Sequence, residues 1–331
     1  MPGSIIAAIV FIFGLFIGSF LNVCIYRLPR KGMLAGRDLP GSREEQEAIW
    51  QALLTQGLID ADGMLQPTAY AADLSGEQLR GVSPAQRDAV LQLIKQSQYI
   101  AVDKPKRSFC PHCHSQIAWF DNIPLISYLS LIGKCRSCHG LISGRYFLVE
   151  LLTGLVGLTL YQTFGLSAFF FVYSLLSTGL IVATFVDFEF QIIPDEISVG
   201  GLAVGVILSL VFPQLHQTSD RFAALLQSAL GIVAGGGSIW LIGKFGELVF
   251  RKESMGGGDV KLMAMIGSIL GCQSALLIFF IAPCFGAVVG IIMRLRHGAE
   301  VIPYGPYLSL ATFLVMLRGA EIIRYYFPIY Y

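Results

Sequence analysis

Seven long apolar stretches dominate this sequence. A helix of about 20 residues spans the hydrocarbon core of a bilayer, and most of these stretches approach that length. They lie at about residues 5–26, 146–164, 167–187, 196–212, 222–250, 274–293 and 305–326. Only 14% of the residues are charged, whereas soluble proteins have roughly a quarter. The sequence therefore predicts an all-α polytopic membrane protein with a bundle of about seven or eight transmembrane helices.

The positive charges are unevenly distributed along the chain. Of the 23 Lys and Arg residues, 14 lie between Arg27 and Arg145. Segments on the cytoplasmic side of a membrane are enriched in these residues, so we expect this segment in the cytoplasm. The first apolar stretch lacks a basic segment before it and a small-residue cleavage site after it, so we expect it to remain as a helix. Threading the chain from there places the loops at 188–194, 251–258 and 294–300 on the cytoplasmic side.

Four regions follow from these patterns. Residues 1–30 are predicted to form an N-terminal transmembrane helix, and 31–105 a polar, partly helical cytoplasmic insert. Residues 106–145 form a small cytoplasmic four-cysteine segment, and 146–331 form the membrane bundle. We expect the insert to be solvated and to carry no chemistry. Its second helix is predicted to begin at Pro84, since Ser and Pro followed by Gln are typical of a helix start.

Two CxxC motifs predict a metal site. Cys110 and Cys113 form one pair, and Cys135 and Cys138 form the other after 21 intervening residues. This spacing is typical of structural zinc sites with four thiolate ligands, which leave no open position on the ion. Disulfides or free thiols are the alternatives, and a reducing cytoplasm disfavours disulfides. We assign no metal-binding role to the remaining nearby or apolar-run residues, His112, His114, His139, Cys24, Cys272 and Cys284.

Two carboxylates at the ends of apolar segments are the candidate catalytic residues. Ionisable groups inside membrane segments are costly and indicate function. Asp187 ends one apolar helix, and Asp259 follows three glycines at 256–258. The apolar run after Asp259 is too short for a full span, so we expect a half-helix buried in protein. Asp195 is expected to cap a helix, and Glu189 is expected to be solvated.

A pair of neighbouring carboxylates suits peptide hydrolysis. Two such groups cannot both ionise easily, so they share a proton. One then acts as a base that activates water, and the other acts as an acid that protonates the peptide carbonyl. No nucleophilic serine or cysteine is required.

These motifs resemble one known family, the type IV prepilin leader peptidases of the GxGD class. The resemblance begins with Gly18-Ser19-Phe20-Leu21-Asn22-Val23 and Tyr26-Arg27-Leu28-Pro29. It continues through the cysteine segment, with Asn122-Ile123-Pro124-Leu125-Ile126-Ser127-Tyr128 between the pairs and Arg145-Tyr146 to Glu150 after them. The stretch from Asp187 to Pro194-Asp195 and the stretch from Gly256 to Asp259 then match the two catalytic motifs in order.

The resemblance implies a bifunctional enzyme of the bacterial inner membrane with its active site facing the cytoplasm. Asp187 and Asp259 would be the catalytic pair. The partners would be prepilin and pseudopilin precursors of a type IV pilus or type II secretion system, together with membrane lipid, and no nucleic acid is expected. After leader cleavage, S-adenosylmethionine would supply a methyl group for the new N-terminus. Zinc would be structural.

The residues that hold S-adenosylmethionine stay unassigned, because no strand followed by GxGxxG marks a pocket for it. Glu150 is one candidate for that site, and a carboxylate facing the lipid headgroups is an equal alternative. Two other functions also remain open. Buried acids and broken helices also build transporters and channels, and a zinc-bearing membrane scaffold would use the aspartates only as helix caps.

Overall fold

The structure is a computed structural model and is helical throughout its regular elements. It describes residues 2–29, 39–59, 79, 82–99, 108, 110, 113, 115–251, 255–297 and 303–326. The helices are α1 Pro2–Arg27, α2 Arg43–Thr55, α3 Pro84–Tyr99, α4 Ile126–Ser130, α5 Arg145–Phe164, α6 Ala168–Phe190, α7 Asp195–Val211, α8 Arg221–Phe250, α9 Gly257–His297 and α10 Gly305–Tyr326. Short 3-10 helices lie at Trp119–Asn122 and Pro213–His216.

Six helices within the described ranges are long and apolar enough to cross a membrane, namely α1, α5, α6, α8, α9 and α10. In addition, α7 is apolar after its first turn and has 17 residues. The 41-residue α9 is divided by Gly271, whose φ of 78° and ψ of 175° are not helical. The chain is thus a multi-pass helical membrane protein, and its helix count is close to the seven or eight predicted.

The chain forms two compact units. The smaller unit is Tyr26–Ala118, and the larger one combines Met1–Ile25 with Trp119–Tyr331. In the smaller unit, α2 and α3 share an apolar core with buried residues Leu39, Ile49, Leu53, Leu58, Ile59, Leu79, Val82, Val90 and Ile94. A capping box starts α2, because the Ser42 hydroxyl accepts from the Glu45 N–H and the Glu45 carboxylate accepts from the Ser42 N–H.

In the larger unit, the first part of α9 is the most deeply buried helix. Residues 262–271 are all buried, and α9 as a whole packs against α7, α8 and α10. Its contact with α8 is close enough that a Cβ at Gly231 would collide with the carbonyl oxygen of Gly267. The predicted half-helix is therefore buried in protein, as the sequence requires.

A cluster of hydroxyl groups lies where this half-helix ends. The Ser228 hydroxyl donates to the carbonyl of Ser268 at 2.8 Å, and the Ser209 hydroxyl lies 3.1 Å from the same oxygen. The ring of His216 lies 2.8 Å from the Ser209 hydroxyl through Nε2. All three serines are fully buried. These groups provide partners for backbone polar atoms near Gly271, where the helix is interrupted.

Candidate active site and metal centre

Asp187 lies near the C-terminal end of α6 and is only 6% exposed. The helix ends at Gln191, which adopts a left-handed conformation with φ of 57°. The Asp187 carboxylate accepts a hydrogen bond from the backbone N–H of Gly305 at 2.9 Å. A Cβ at Gly305 would lie 2.8 Å from Asp187 Oδ2, so this approach requires glycine.

Asp259 lies in the first turn of α9 and is half-buried. Its backbone N–H donates to the carbonyl of Gly256 at 3.2 Å, and its carboxylate interacts with the backbone of the same residue. A Cβ at Gly256 would lie 3.3 Å from Asp259 Oδ2. The glycine loop therefore holds the carboxylate close to its own backbone at the start of the buried half-helix.

The two carboxylates lie close enough for the charge of Asp187 to act on Asp259. Tyr304 is a third member of this group. Burial, and then the charge of Asp259, raise the pKa of Tyr304 to about 12. The arrangement joins the end of α6, the start of α9 and the turn before α10.

Tyr304 and Gly305 were not predicted from the sequence. They lie in the run Pro303-Tyr304-Gly305-Pro306, directly before an apolar stretch. A glycine with prolines close by on both sides, at the start of a membrane helix, indicates a close approach of the backbone to another group. This signal would have marked the turn as a candidate part of the active site.

Asp195 is not a member of the carboxylate pair. The expectation that Asp195 caps the helix is wrong, because Asp195 is the first residue of α7 and the N-cap position belongs to Pro194, with no side-chain cap hydrogen bond. The exposed carboxylate of Asp195 accepts a hydrogen bond from Lys261 Nζ at 2.7 Å. A carboxylate in the first turn of a helix also meets the positive end of the macrodipole, which agrees with a structural role.

The expectation that Glu189 is solvated is wrong. The Glu189 carboxylate forms an ion pair with the guanidinium of Arg145. Arg145 begins α5 and Glu189 lies in the last turn of α6, so the pair joins two helices at the same end. The sequence could not show this contact because it depends on how α5 packs on α6.

The four predicted metal ligands lie together. The sulfur atoms of Cys110, Cys113, Cys135 and Cys138 are all within 4.8 Å of one another. Four thiolates suit a tetrahedral zinc ion, so these residues could hold zinc as a closed, structural site.

Backbone turns support each cysteine pair. The N–H of Cys110 donates to the Ser115 carbonyl at 3.0 Å, and the N–H of Cys135 donates to the Gly140 carbonyl at 2.9 Å. His139 adopts a left-handed conformation in the second turn. The other two histidines of the motif, His112 and His114, lie outside the described residues.

The chain is similar to known proteins over most of its length. Residues 12–164 match the family profile described as "Bacterial Peptidase A24 N-terminal domain", and residues 174–291 match the "Type IV leader peptidase family". No solved structure matches the chain significantly.

Curated relatives match almost the full length. One from Aeromonas hydrophila is 33% identical, with 96% of this chain and 93% of the relative covered. One from Pseudomonas aeruginosa is 32% identical, with 95% and 90% covered, and one from Neisseria gonorrhoeae is 32% identical, with 95% and 91% covered. All three are named "Prepilin leader peptidase/N-methyltransferase".

Proposed function

The chain belongs to the type IV leader peptidase family, and we propose that it removes the leader peptides of type IV prepilins and pseudopilins and then N-methylates the new N-terminal residue. The observation that carries this proposal is the pairing of the buried Asp187 with the half-buried Asp259, since the charge of Asp187 acts on Asp259. The pair is formed by two motifs that lie 72 positions apart in the sequence.

Asp187 and Asp259 are proposed as the catalytic pair. Neighbouring carboxylates share one proton, so one can accept a proton from water while the other donates a proton to the carbonyl oxygen of the scissile peptide. The N–H of Gly305 holds the Asp187 carboxylate in place at 2.9 Å. The backbone of Gly256 holds the Asp259 carboxylate in the same way.

We propose that the protein lies in the bacterial inner membrane with the carboxylate pair facing the cytoplasm. The support is the charge distribution, because the segment between Arg27 and Arg145 contains 14 of the 23 Lys and Arg residues. Basic segments stay on the cytoplasmic side. The ion pair of Arg145 with Glu189 joins the start of α5 to the end of α6, where Asp187 lies.

S-adenosylmethionine is the proposed methyl donor, and it would supply the methyl group for the new N-terminus. Zinc is proposed to be held by Cys110, Cys113, Cys135 and Cys138 and to be structural, because four protein ligands leave no position for a substrate. The comparisons favour this bifunctional enzyme over the membrane transporter or channel and over the zinc-bearing scaffold.

The test is to incubate the purified protein with a prepilin in the presence and absence of S-adenosylmethionine. We expect cleavage in both reactions, because the carboxylate chemistry needs only water. Mass spectrometry of the mature product should show an added methyl group only when the donor is present. An intact prepilin in both reactions would reject the proposal.

A further inference from the structure

We propose that Glu150 and Asn22 bind the amino group of the methyl acceptor, and that Glu150 takes its proton before methyl transfer. This inference rests on the proposed function, since the acceptor is the N-terminus released by leader cleavage. It assigns a binding site to the second reaction at a place distinct from the carboxylate pair. The ligand class is a primary amine at the start of a peptide.

Glu150 is a buried carboxylate at the interface of α1 and α5. It is 7% exposed and accepts a hydrogen bond from the backbone N–H of Leu125 at 2.8 Å. The side chain of Ser19 donates a second hydrogen bond. A carboxylate has about four lone-pair positions, so these two neutral donors leave acceptor capacity for a ligand.

The conformation of Leu125 indicates that this contact is maintained under strain. Its φ of 59° and ψ of −47° are rare for a residue with a side chain. Strained backbone of this kind costs about 1–3 kcal/mol and is concentrated at functional sites. The next residue, Ile126, is 64% exposed, so the strained turn lies directly beneath the protein surface.

Asn22 provides a second, independent observation. It is 2% exposed, and its Nδ2 donates to the carbonyl of Tyr146 at 3.1 Å. Among the described residues, its Oδ1 has no hydrogen-bond partner although it is buried. A buried polar atom without a partner costs about 1–3 kcal/mol, so this oxygen indicates a donor that arrives with a ligand.

The two side chains belong to one site because their contacts lie on successive turns of the same helix pair. Ser19 and Asn22 are three residues apart on α1, while Tyr146 and Glu150 are four apart on α5. Residues with these spacings are neighbours on one helix face. Both atoms left for a ligand, a carboxylate oxygen and an amide oxygen, are acceptors. A protonated N-terminal amine supplies N–H donors and the complementary positive charge.

The site lies at the same end of the bundle as the peptidase residues. Arg145 pairs with Glu189, which follows Asp187 by two residues on α6. Glu150 is five positions after Arg145, which is about 8 Å along a helix. A new N-terminus released near Asp187 therefore has the amine site close by.

The chemistry of methyl transfer requires a proton acceptor at this position. The bound amine is protonated at neutral pH, since an α-amino group has a pKa of about 7.7–8.0. Its proton passes to the Glu150 carboxylate, which frees the nitrogen lone pair. The nitrogen then bonds to the methyl carbon of the sulfonium donor, S-adenosylmethionine, while the carbon–sulfur bond breaks and its electron pair stays on sulfur. The product leaves as a methylated ammonium, and Glu150 returns its proton to water.

The test is Glu150→Gln, which keeps the shape and the ability to accept from Leu125 but cannot take a proton. We expect leader cleavage and binding of radiolabelled S-adenosylmethionine to stay at wild-type levels. Methylation of a peptide with the mature N-terminus should fall about 100-fold or more, the usual contribution of a general base. The loss should become smaller above about pH 8, where the amine is neutral without help.

The matched control is Thr159→Val on the same helix, whose hydroxyl is exposed and bonds only to its own helix at the Leu155 carbonyl. It should behave as wild type in every assay. Normal methylation by Glu150→Gln, a loss that does not vary with pH, or loss of S-adenosylmethionine binding would overturn the inference. A wild-type protein that neither cleaves nor methylates would instead reject the proposed function.

Asn22→Leu decides the question if Glu150→Gln does not fold. It removes an oxygen that has no partner among the described residues, together with the hydrogen bond from Nδ2 to the Tyr146 carbonyl. The lost bond should lower the unfolding temperature slightly, so the KM for the acceptor peptide is the deciding measurement. The KM for the acceptor peptide should rise about tenfold, which corresponds to about 1.4 kcal/mol of lost hydrogen bonding. A lower unfolding temperature with an unchanged KM would show a purely structural role and overturn the inference.

Discussion

The first part of α9, residues 257–270, has polar groups packed against neighbouring helices at both ends, and the two ends differ in how those groups are paired. At the N-terminal end, the charge of Asp187 acts on Asp259. At the C-terminal end, the hydroxyls of Ser209 and Ser228 lie within hydrogen-bond distance of the Ser268 carbonyl. One end brings two carboxylates together, and the other end provides hydrogen-bond partners for neutral groups.

This difference separates a functional cluster from a structural one. Buried neutral groups that find partners stabilise a helix interruption at little cost. Neighbouring carboxylates oppose each other and disfavour the folded state when both are charged. Such an arrangement is expected where it serves chemistry. Substitutions at the N-terminal end should therefore affect activity, and substitutions at the C-terminal end should affect stability.

The largest effect is expected from Asp187→Asn and Asp259→Asn. Each removes one charge without changing the shape, so cleavage should fall by about 100-fold to 10,000-fold, the usual contribution of acid–base catalysis. The unfolding temperature should not fall, because repulsion between the two groups is removed. Rates with purified protein and prepilin would check this, and wild-type cleavage by either variant would contradict it. Asp195→Asn is the control and should be mild, because its carboxylate is exposed and paired with Lys261.

A smaller loss is expected from Gly305→Ala. The added methyl group would lie 2.8 Å from Asp187 Oδ2, so the carboxylate must shift. A displacement of about 1 Å in a catalytic group can cost about 100-fold in rate. Gly200→Ala is the matched control, since nothing lies within 4 Å of a Cβ there. Equal cleavage rates for the two variants would show that the position of Asp187 is not critical.

Loss of the metal should affect the cysteine segment and leave both ends of the half-helix in place. We expect elemental analysis to find one zinc ion per chain. Cys135→Ser should lower the zinc content and increase proteolysis within residues 106–145, because structural zinc binding contributes directly to folding. Cleavage should fall less than in Gly305→Ala. A metal-free protein after purification under reducing conditions without chelator would exclude the site.

At the C-terminal end of the half-helix, Ser228→Ala should lower stability by about 1 kcal/mol through the lost hydrogen bond. The cleavage rate should stay at the wild-type value. The control is Ser238→Ala on the same helix, whose hydroxyl donates to its own helix at Gly235 and should matter less. Unfolding in denaturant would measure the difference, and a loss of cleavage in Ser228→Ala would remove the distinction between the two ends.

The smallest effect concerns His216 in the same cluster. Burial lowers the pKa of His216, so the unfolded chain binds more protons than the folded one in the range below about pH 6.5. Stability should therefore decrease as the pH falls through that range. His216→Gln should weaken this pH dependence. The free energy of unfolding of both proteins at pH 7 and pH 5.5 would test it, and identical slopes would contradict it.

Most of the helices could be predicted from the sequence because membrane spans are encoded locally. The stretch at 146–164 corresponds to α5, Arg145–Phe164, and the stretch at 222–250 corresponds to α8, Arg221–Phe250. Hydropathy and the start signals of helices depend on adjacent residues only. The burial of the half-helix after Asp259 was also predictable, because its length excludes a full span.

Contacts between distant segments were not predictable. Gly305 meets Asp187 across 118 positions, and Arg145 meets Glu189 across 44. Both contacts depend on which helices pack together and on their register. The sequence gives the composition of each segment but not its neighbours. The electrostatic contact between Asp187 and Asp259 was expected only through their shared side of the membrane and the family resemblance.

The contact between Gly231 and Gly267 has a consequence for mutational scanning. A Cβ at either position would lie 2.0 Å from the opposite carbonyl oxygen, so each position excludes every other amino acid independently of its partner. No second substitution can rescue the first, because both residues are already the smallest available. In a library scored by prepilin cleavage alone, these two glycines should look as intolerant as catalytic residues. A parallel score for protein abundance in the membrane would separate them, because their variants should be lost before they can be assayed.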